Sequence, residues 1–122
     1  MSTLTFAEPL PGLDPYTDYM LDAVDGAVGL FTLRPAEESS VRLFLLDAAV
    51  YAPGYAPEIS GPCRSIGLAS ASEARVLVVA TPGESGTTVN LMAPVLVNEA
   101  TGKSAQAILD GQGWPLRALL GA

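Results

Sequence analysis

Along the chain, short stretches that alternate apolar and polar residues, or run apolar on both phases, are separated by turns rich in Gly and Pro. Leu4-Thr5-Phe6-Ala7 alternates and predicts a first strand, ended by Glu8-Pro9-Leu10-Pro11-Gly12-Leu13, where two prolines and a glycine permit only a turn. A second strand is predicted from Tyr19 to Leu21, and Asp22–Gly26 reads as a loop. Val28–Arg34 predicts a strand with Phe31 and Leu33 on one face and Val28, Leu30 and Thr32 on the other. After the polar turn Pro35–Ser40, the run Val41–Val50 is apolar on both phases, the mark of a strand covered on both sides. The doubled Tyr-Ala-Pro of residues 51–57 predicts an extended loop, because Pro removes a backbone donor and Gly relaxes the chain. Its two tyrosines either form a recognition surface or pack over the end of a barrel.

The best place for a short helix is Glu58–Leu68, with Ser60 as its cap and Pro62 at an early helical position. Residues 70–74 read as a polar connection, Arg75–Thr81 as a β-branched strand, and Pro82–Gly86 as a plain loop. The strongest local pattern is Thr87–Leu109. There the apolar run Val89–Asn98, the turn Glu99–Lys103 and the returning strand Ser104–Leu109 predict a β-hairpin. Asp110–Gly113 turns the chain again, and Trp114–Leu120 closes it. The sum is seven or eight short strands with at most one short helix in a single domain over residues 1–122. This is an all-β fold, a small partly closed β-barrel or sandwich.

Composition narrows what such a domain does. Apolar residues make up 49% and charged residues only 16% of the chain, so apolar groups must remain on the surface. That favours self-association or docking on a partner. Thirteen acids face five arginines and one lysine, a net charge of −7, which disfavours direct nucleic-acid binding and anionic membranes and favours a basic protein partner. The N-terminus lacks the basic and apolar regions of a signal peptide, and no apolar run reaches bilayer-spanning length, so a cytoplasmic protein is expected.

With no histidine in the chain, Ser-His and Cys-His pairs are absent, and no cofactor or metal is expected; nor is an enzyme. The single cysteine, Cys63, precedes Arg64, which lowers a thiol pKa where the two meet, but no base or resolving thiol accompanies it. Glu37 and Glu38 read as a solvated turn. Asn90, Asn98 and Gln106 are uncharged amides at the edges of apolar strands. They read first as groups that fix register and turn geometry, and second as partner contacts.

The segment from Thr88 to Asn98, TVNLMAPVLVN, followed by Gly102-Lys103-Ser104-Ala105-Gln106-Ala107-Ile108-Leu109, resembles a known pattern: Asn-Leu, Ala-Pro, an aliphatic run to Asn, a turn, then Gln and an aliphatic pair. That pattern belongs to the flagellar assembly factor FliW family. Leu4–Leu13, Asp47–Pro57 and Trp114–Arg117 are similar to further segments of the family, with Leu13, Ala48 and Trp114 departing from its usual residues.

The resemblance implies a β-barrel-like, non-enzymatic regulator. It would bind flagellin in the cytoplasm and antagonise CsrA, a small RNA-binding translational repressor, coupling flagellin synthesis to export. On this view Asn90, Leu91, Ala93, Pro94, Asn98 and Gln106 are the family motif, structural or partner-facing. Chemistry alone adds Glu37, Glu38, Tyr51, Tyr55 and Glu58 as partner contacts. The alternatives are a small-ligand-binding barrel and an oligomeric structural β-barrel protein, with oligomeric state open.

Overall fold

In the computed structural model, residues 2–38 and 40–120 are described. Among them run nine strands: β1 Ser2–Phe6, β2 Asp18–Ala23, β3 Leu30–Pro35, β4 Leu43–Asp47, β5 Arg75–Gly83, β6 Gly86–Val89, β7 Val95–Val97, β8 Lys103–Gln106 and β9 Ala118–Leu119. Two short helices, α1 Ala48–Tyr51 and α2 Ser60–Ser65, and one 3₁₀ turn at Ala71–Glu73 complete the chain. None of these helices is long and apolar enough to cross a membrane.

The sheet runs β4-β3-β2-β1-β8-β7-β5, and β5 pairs back with β4, so seven strands close a barrel. The remaining two, β6 and β9, extend the sheet beyond β5. Every pairing is antiparallel except β1 with β8. The expected barrel is therefore fully closed, with nine strands in all where seven or eight were expected.

Three apolar clusters follow from the alternation. Inside the barrel lie Leu4, Phe6, Tyr19, Leu21, Leu33, Leu45, Leu77, Val95 and Val97, capped by Leu10. On the outer face, Leu96, Ala107 and Leu109 pack under α2 against Ile59, Cys63, Ile66 and Leu68. Beside them, Leu46, Val78, Ala80 and Val89 pack with Ala48 of α1, and Tyr51, Leu91 and Leu120 lie against this group. Adjacent residues thus enter different cores: Leu45 faces in and Leu46 faces out, and both are buried. Full burial of one such side chain contributes about 1.5–3 kcal/mol.

Several local expectations are corrected. The run Val41–Val50 is not one strand: β4 ends at Asp47, whose carboxylate accepts the Ala49 N–H at 3.0 Å and starts α1. An aspartate ahead of Ala-Ala caps a helix well, and this local bond overrides continuation of the strand. Ser60 is not the cap of α2 but its first residue. The Glu58 carboxylate takes the capping part, accepting from the Ser60 N–H at 3.0 Å and Oγ at 2.5 Å. Pro82 and Gly83 belong to β5 and Gly86 opens β6, leaving a two-residue turn, Glu84-Ser85, in place of a loop. Asp22 and Ala23 end β2 and are not part of the following loop.

The largest correction concerns the central hairpin. β7 and β8 form it around the predicted turn, but residues 86–89 pair instead with the far end of β5 and with β9. Both β6 and β7 lie along the same edge of β5. Ala80 faces Val89 and Leu77 faces Val95, so three residues of β5 are matched by six on the partner side. The excess is taken up at Asn90–Pro94, where the chain leaves the ladder and the β7–β8 wall separates from the β6–β9 extension.

Candidate protein-interaction surface

The break at Asn90–Pro94 is held by the motif residues themselves. Asn90 Oδ1 accepts the backbone N–H groups of Met92 and Ala93, each at 3.0 Å, an arrangement that side-chain amides offer the backbone in tight turns. The Leu91 N–H donates to the Pro115 carbonyl at 3.1 Å, and the Leu91 carbonyl accepts from the Tyr55 hydroxyl, tying the C-terminal segment and the Tyr55 loop to the same point. Pro94 is fully buried, and its carbonyl accepts the Ala107 N–H at 2.9 Å. Gln106 Nε2 donates to the Ala93 carbonyl at 3.2 Å, while its Oε1 is buried without a hydrogen-bond partner. Asn98, itself buried, donates from Nδ2 to the Ile66 carbonyl at 2.8 Å and accepts the Ala100 N–H at 3.1 Å. That pair of bonds links the β7–β8 turn to the end of α2.

The five candidates chosen on chemistry are spread over the molecule. Glu37 and Glu38 lie in the β3–β4 turn, at the end of the barrel opposite α1. Glu38 accepts from the Ser40 N–H at 3.1 Å and from Oγ at 2.5 Å, and these bonds hold its carboxyl below the usual range. Tyr51 closes α1, and its hydroxyl donates to the Val28 carbonyl at 2.8 Å. Tyr55 meets Trp114 edge-on, with centroids 4.7 Å apart; burial pushes its hydroxyl pKa up to about 12. Glu58, held low by its bonds to Ser60, also has its N–H bonded to Gln112 Oε1 at 2.9 Å. Tyr51 and Tyr55 both pack on the outer cluster of β4 and β5; the two glutamates of the β3–β4 turn are remote from them.

One network had no signal in the sequence. Arg75, at the start of β5, lies 3.3 Å from Asp47 and 3.1 Å from Glu99, with its guanidinium 4.7 Å from the Phe31 ring centroid. Its partners come from three different strands or turns, so no spacing along the chain announces it. Cys63 is buried in the α2 cluster, and burial raises its thiol pKa, with Glu58 and Glu73 adding to the rise. Arg64 next to it in sequence does not reverse this. No group of three or more Cys, Asp or Glu among the described residues is placed to hold a metal ion.

Apolar side chains do reach solvent in patches. Val28 and Val50 are both exposed, Val50 lying close to Gly29, and Leu116 and Leu119 flank the β6–β9 extension. A groove of about 620 Å³ opens along the β1–β8 seam, walled by residues 5–11 on one side and residues 103–106 and Ile108 on the other, with Ser65 and Ile66 at the end of α2 also lining it.

A closed seven-strand barrel with two added strands, its loops held by side-chain amides, places the chain in the all-β barrel class. The sequence matches the family described as FliW protein over residues 1–120, and the chain belongs to that family. A flagellar assembly factor FliW of Thermotoga neapolitana is 29% identical over 119 residues, covering 94% of this chain and 80% of that relative. A second, from Thermotoga maritima, is 27% identical over 125 residues, covering 98% of this chain and 83% of the relative. The crystal structure of a flagellar assembly factor FliW shares the fold, with a TM-score of 0.86 at 18% identity over 96% of this chain and 84% of the other.

Proposed function

We propose that this protein is a non-enzymatic flagellar assembly factor that binds flagellin in the cytoplasm and, when released, captures CsrA. Repression of flagellin synthesis is thereby tied to export. The observation that carries this reading is the family match over residues 1–120, with relatives named as flagellar assembly factors. Two features of the chain support it. A net charge of −7 suits a basic, RNA-binding partner and repels RNA itself. The absence of histidine removes the commonest general base from the chain.

The test is calorimetric titration of the full chain with flagellin and, separately, with CsrA of the same organism. Saturable 1:1 binding of flagellin at micromolar affinity or tighter, and displacement of flagellin by CsrA or the reverse, is the expected result. Binding of neither in low-salt buffer, where charge attraction is strongest, overturns the reading.

A further inference from the structure

The barrel is closed, but one of its seams is short. β1 and β8 pair only at Thr5↔Lys103 and Phe6↔Ser104. On its other edge β8 stays bonded to the β6–β7 segment much further, through Ala107 N–H to the Pro94 carbonyl and Leu109 N–H to the Met92 carbonyl. In an antiparallel ladder, main-chain groups of alternate residues point to opposite edges. Ala105, Ala107 and Leu109 therefore face β7 and its lead-in, while Gln106 and Ile108 aim their N–H and C=O groups at the β1 side.

On the β1 side the strand has gone. Phe6 gives its N–H to the Thr17 carbonyl, and the chain turns off through Pro9 and Pro11, neither of which has an N–H to donate. Outside the strand ladders, no hydrogen bond to the main chain of Gln106 or Ile108 occurs among the described residues. The gap between the two walls is the groove of about 620 Å³. Gln106 and Ile108, the latter 56% exposed, line it.

The geometry points to this seam as a strand-addition site: an extended peptide segment of a protein partner pairs with β8 at Gln106 and Ile108. This deepens the reading above and rests on it in one respect, that the chain's task is to bind protein. Main-chain bonds supply the affinity of such a mode, and alternate side-chain pockets its specificity. Charge selects the occupant. Glu8 and Lys103 stand on opposite walls and offset each other, while the chain as a whole carries −7, so a segment with apolar residues facing in and basic residues facing out is favoured.

The probe is a six-residue synthetic peptide of alternating lysine and valine, with its fully N-methylated analogue as the control that keeps the side chains and lacks the donors. In the free protein the amides of Gln106 and Ile108 are expected to exchange with solvent at least tenfold faster than those of Ala105 and Ala107. The unmethylated peptide should bind saturably, slow exchange at Gln106 and Ile108, and bind at least tenfold more tightly than the analogue. Ile108→Pro, which removes one edge donor, should weaken it similarly; should that variant fail to fold, exchange in the wild-type chain decides. Equal binding of the two peptides, protection confined to other strands, or no saturation at millimolar peptide overturns the inference. These outcomes are separate from the flagellin and CsrA titrations of the unmodified chain, whose failure overturns the functional reading instead.

Discussion

The two halves of the barrel wall are built on different patterns. In β1, β2 and β3, residues facing in and out alternate cleanly: Leu4, Thr5, Phe6; Tyr19, Met20, Leu21, Asp22; Leu33, Arg34. Their outer face meets water. In β4, β5 and β7 both phases are apolar, as in Leu45-Leu46, Leu77-Val78 and Val95-Leu96-Val97, and all seven side chains are buried. That half carries α1, the Tyr55 loop, α2 and the C-terminal segment on its outside. The difference teaches that a strand's pattern reports how many layers cover it, not only that it is a strand.

The sharpest test of that contrast is Leu96→Ala. Leu96 is fully buried on the outer face under α2, and its truncation is expected to cost about 2–5 kcal/mol in chemical denaturation. A loss near zero would mean that the outer cluster adds nothing to the fold. Gly102 joins the two halves where β8 meets β1: at φ +82°, an added Cβ would stand 2.6 Å from the Thr3 carbonyl oxygen. Gly102→Ala should therefore cost about 2 kcal/mol or more, from left-handed strain and a backbone clash combined.

Arg75→Met removes the charge at the barrel mouth, where Asp47 and Glu99 approach from the covered half and Phe31 from the bare one. Because these groups are partly exposed, about 1 kcal/mol is expected, shrinking as salt is added. Tyr55→Phe should cost about 1 kcal/mol for the lost bond to the Leu91 carbonyl. Its pH signature is more specific. The hydroxyl titrates at about 12 in the fold against about 10 in the unfolded chain, so its contribution is full below pH 10 and lost as pH rises toward 12. The variant should flatten the alkaline fall in stability but not abolish it, since burial also raises Tyr19. On the bare half, Thr3→Ala should stay within about 0.5 kcal/mol of wild type.

How far the site was legible follows from the same physics. The motif Asn90-Leu91-x-Ala93-Pro94 stood out as amides and a proline inside an apolar run, and Asn90 and Pro94 do mark a break in the ladder. That the break separates two different neighbours of β5 was not legible, because it depends on two separate registers, Ala80 with Val89 and Leu77 with Val95, that no local pattern sets. Tyr51 and Tyr55 were visible as a pair on a proline-stiffened loop; their acceptors, Val28 and Leu91, were not. The Arg75 network and the orphaned Gln106 Oε1 exist only once strands remote in sequence are side by side.

What the sequence determined by itself was local: which stretches extend, where Gly and Pro turn the chain, which strands have one covered face and which have two. Those choices depend on neighbouring residues, through backbone sterics and the period-two alternation of side chains. Closure of the barrel by β4 and β5, the parallel β1–β8 seam and its early end were decided by the tertiary structure alone. Pairing between distant strands is chosen by which combination buries both apolar phases and satisfies the most main-chain groups together. No single stretch of this chain carries that information.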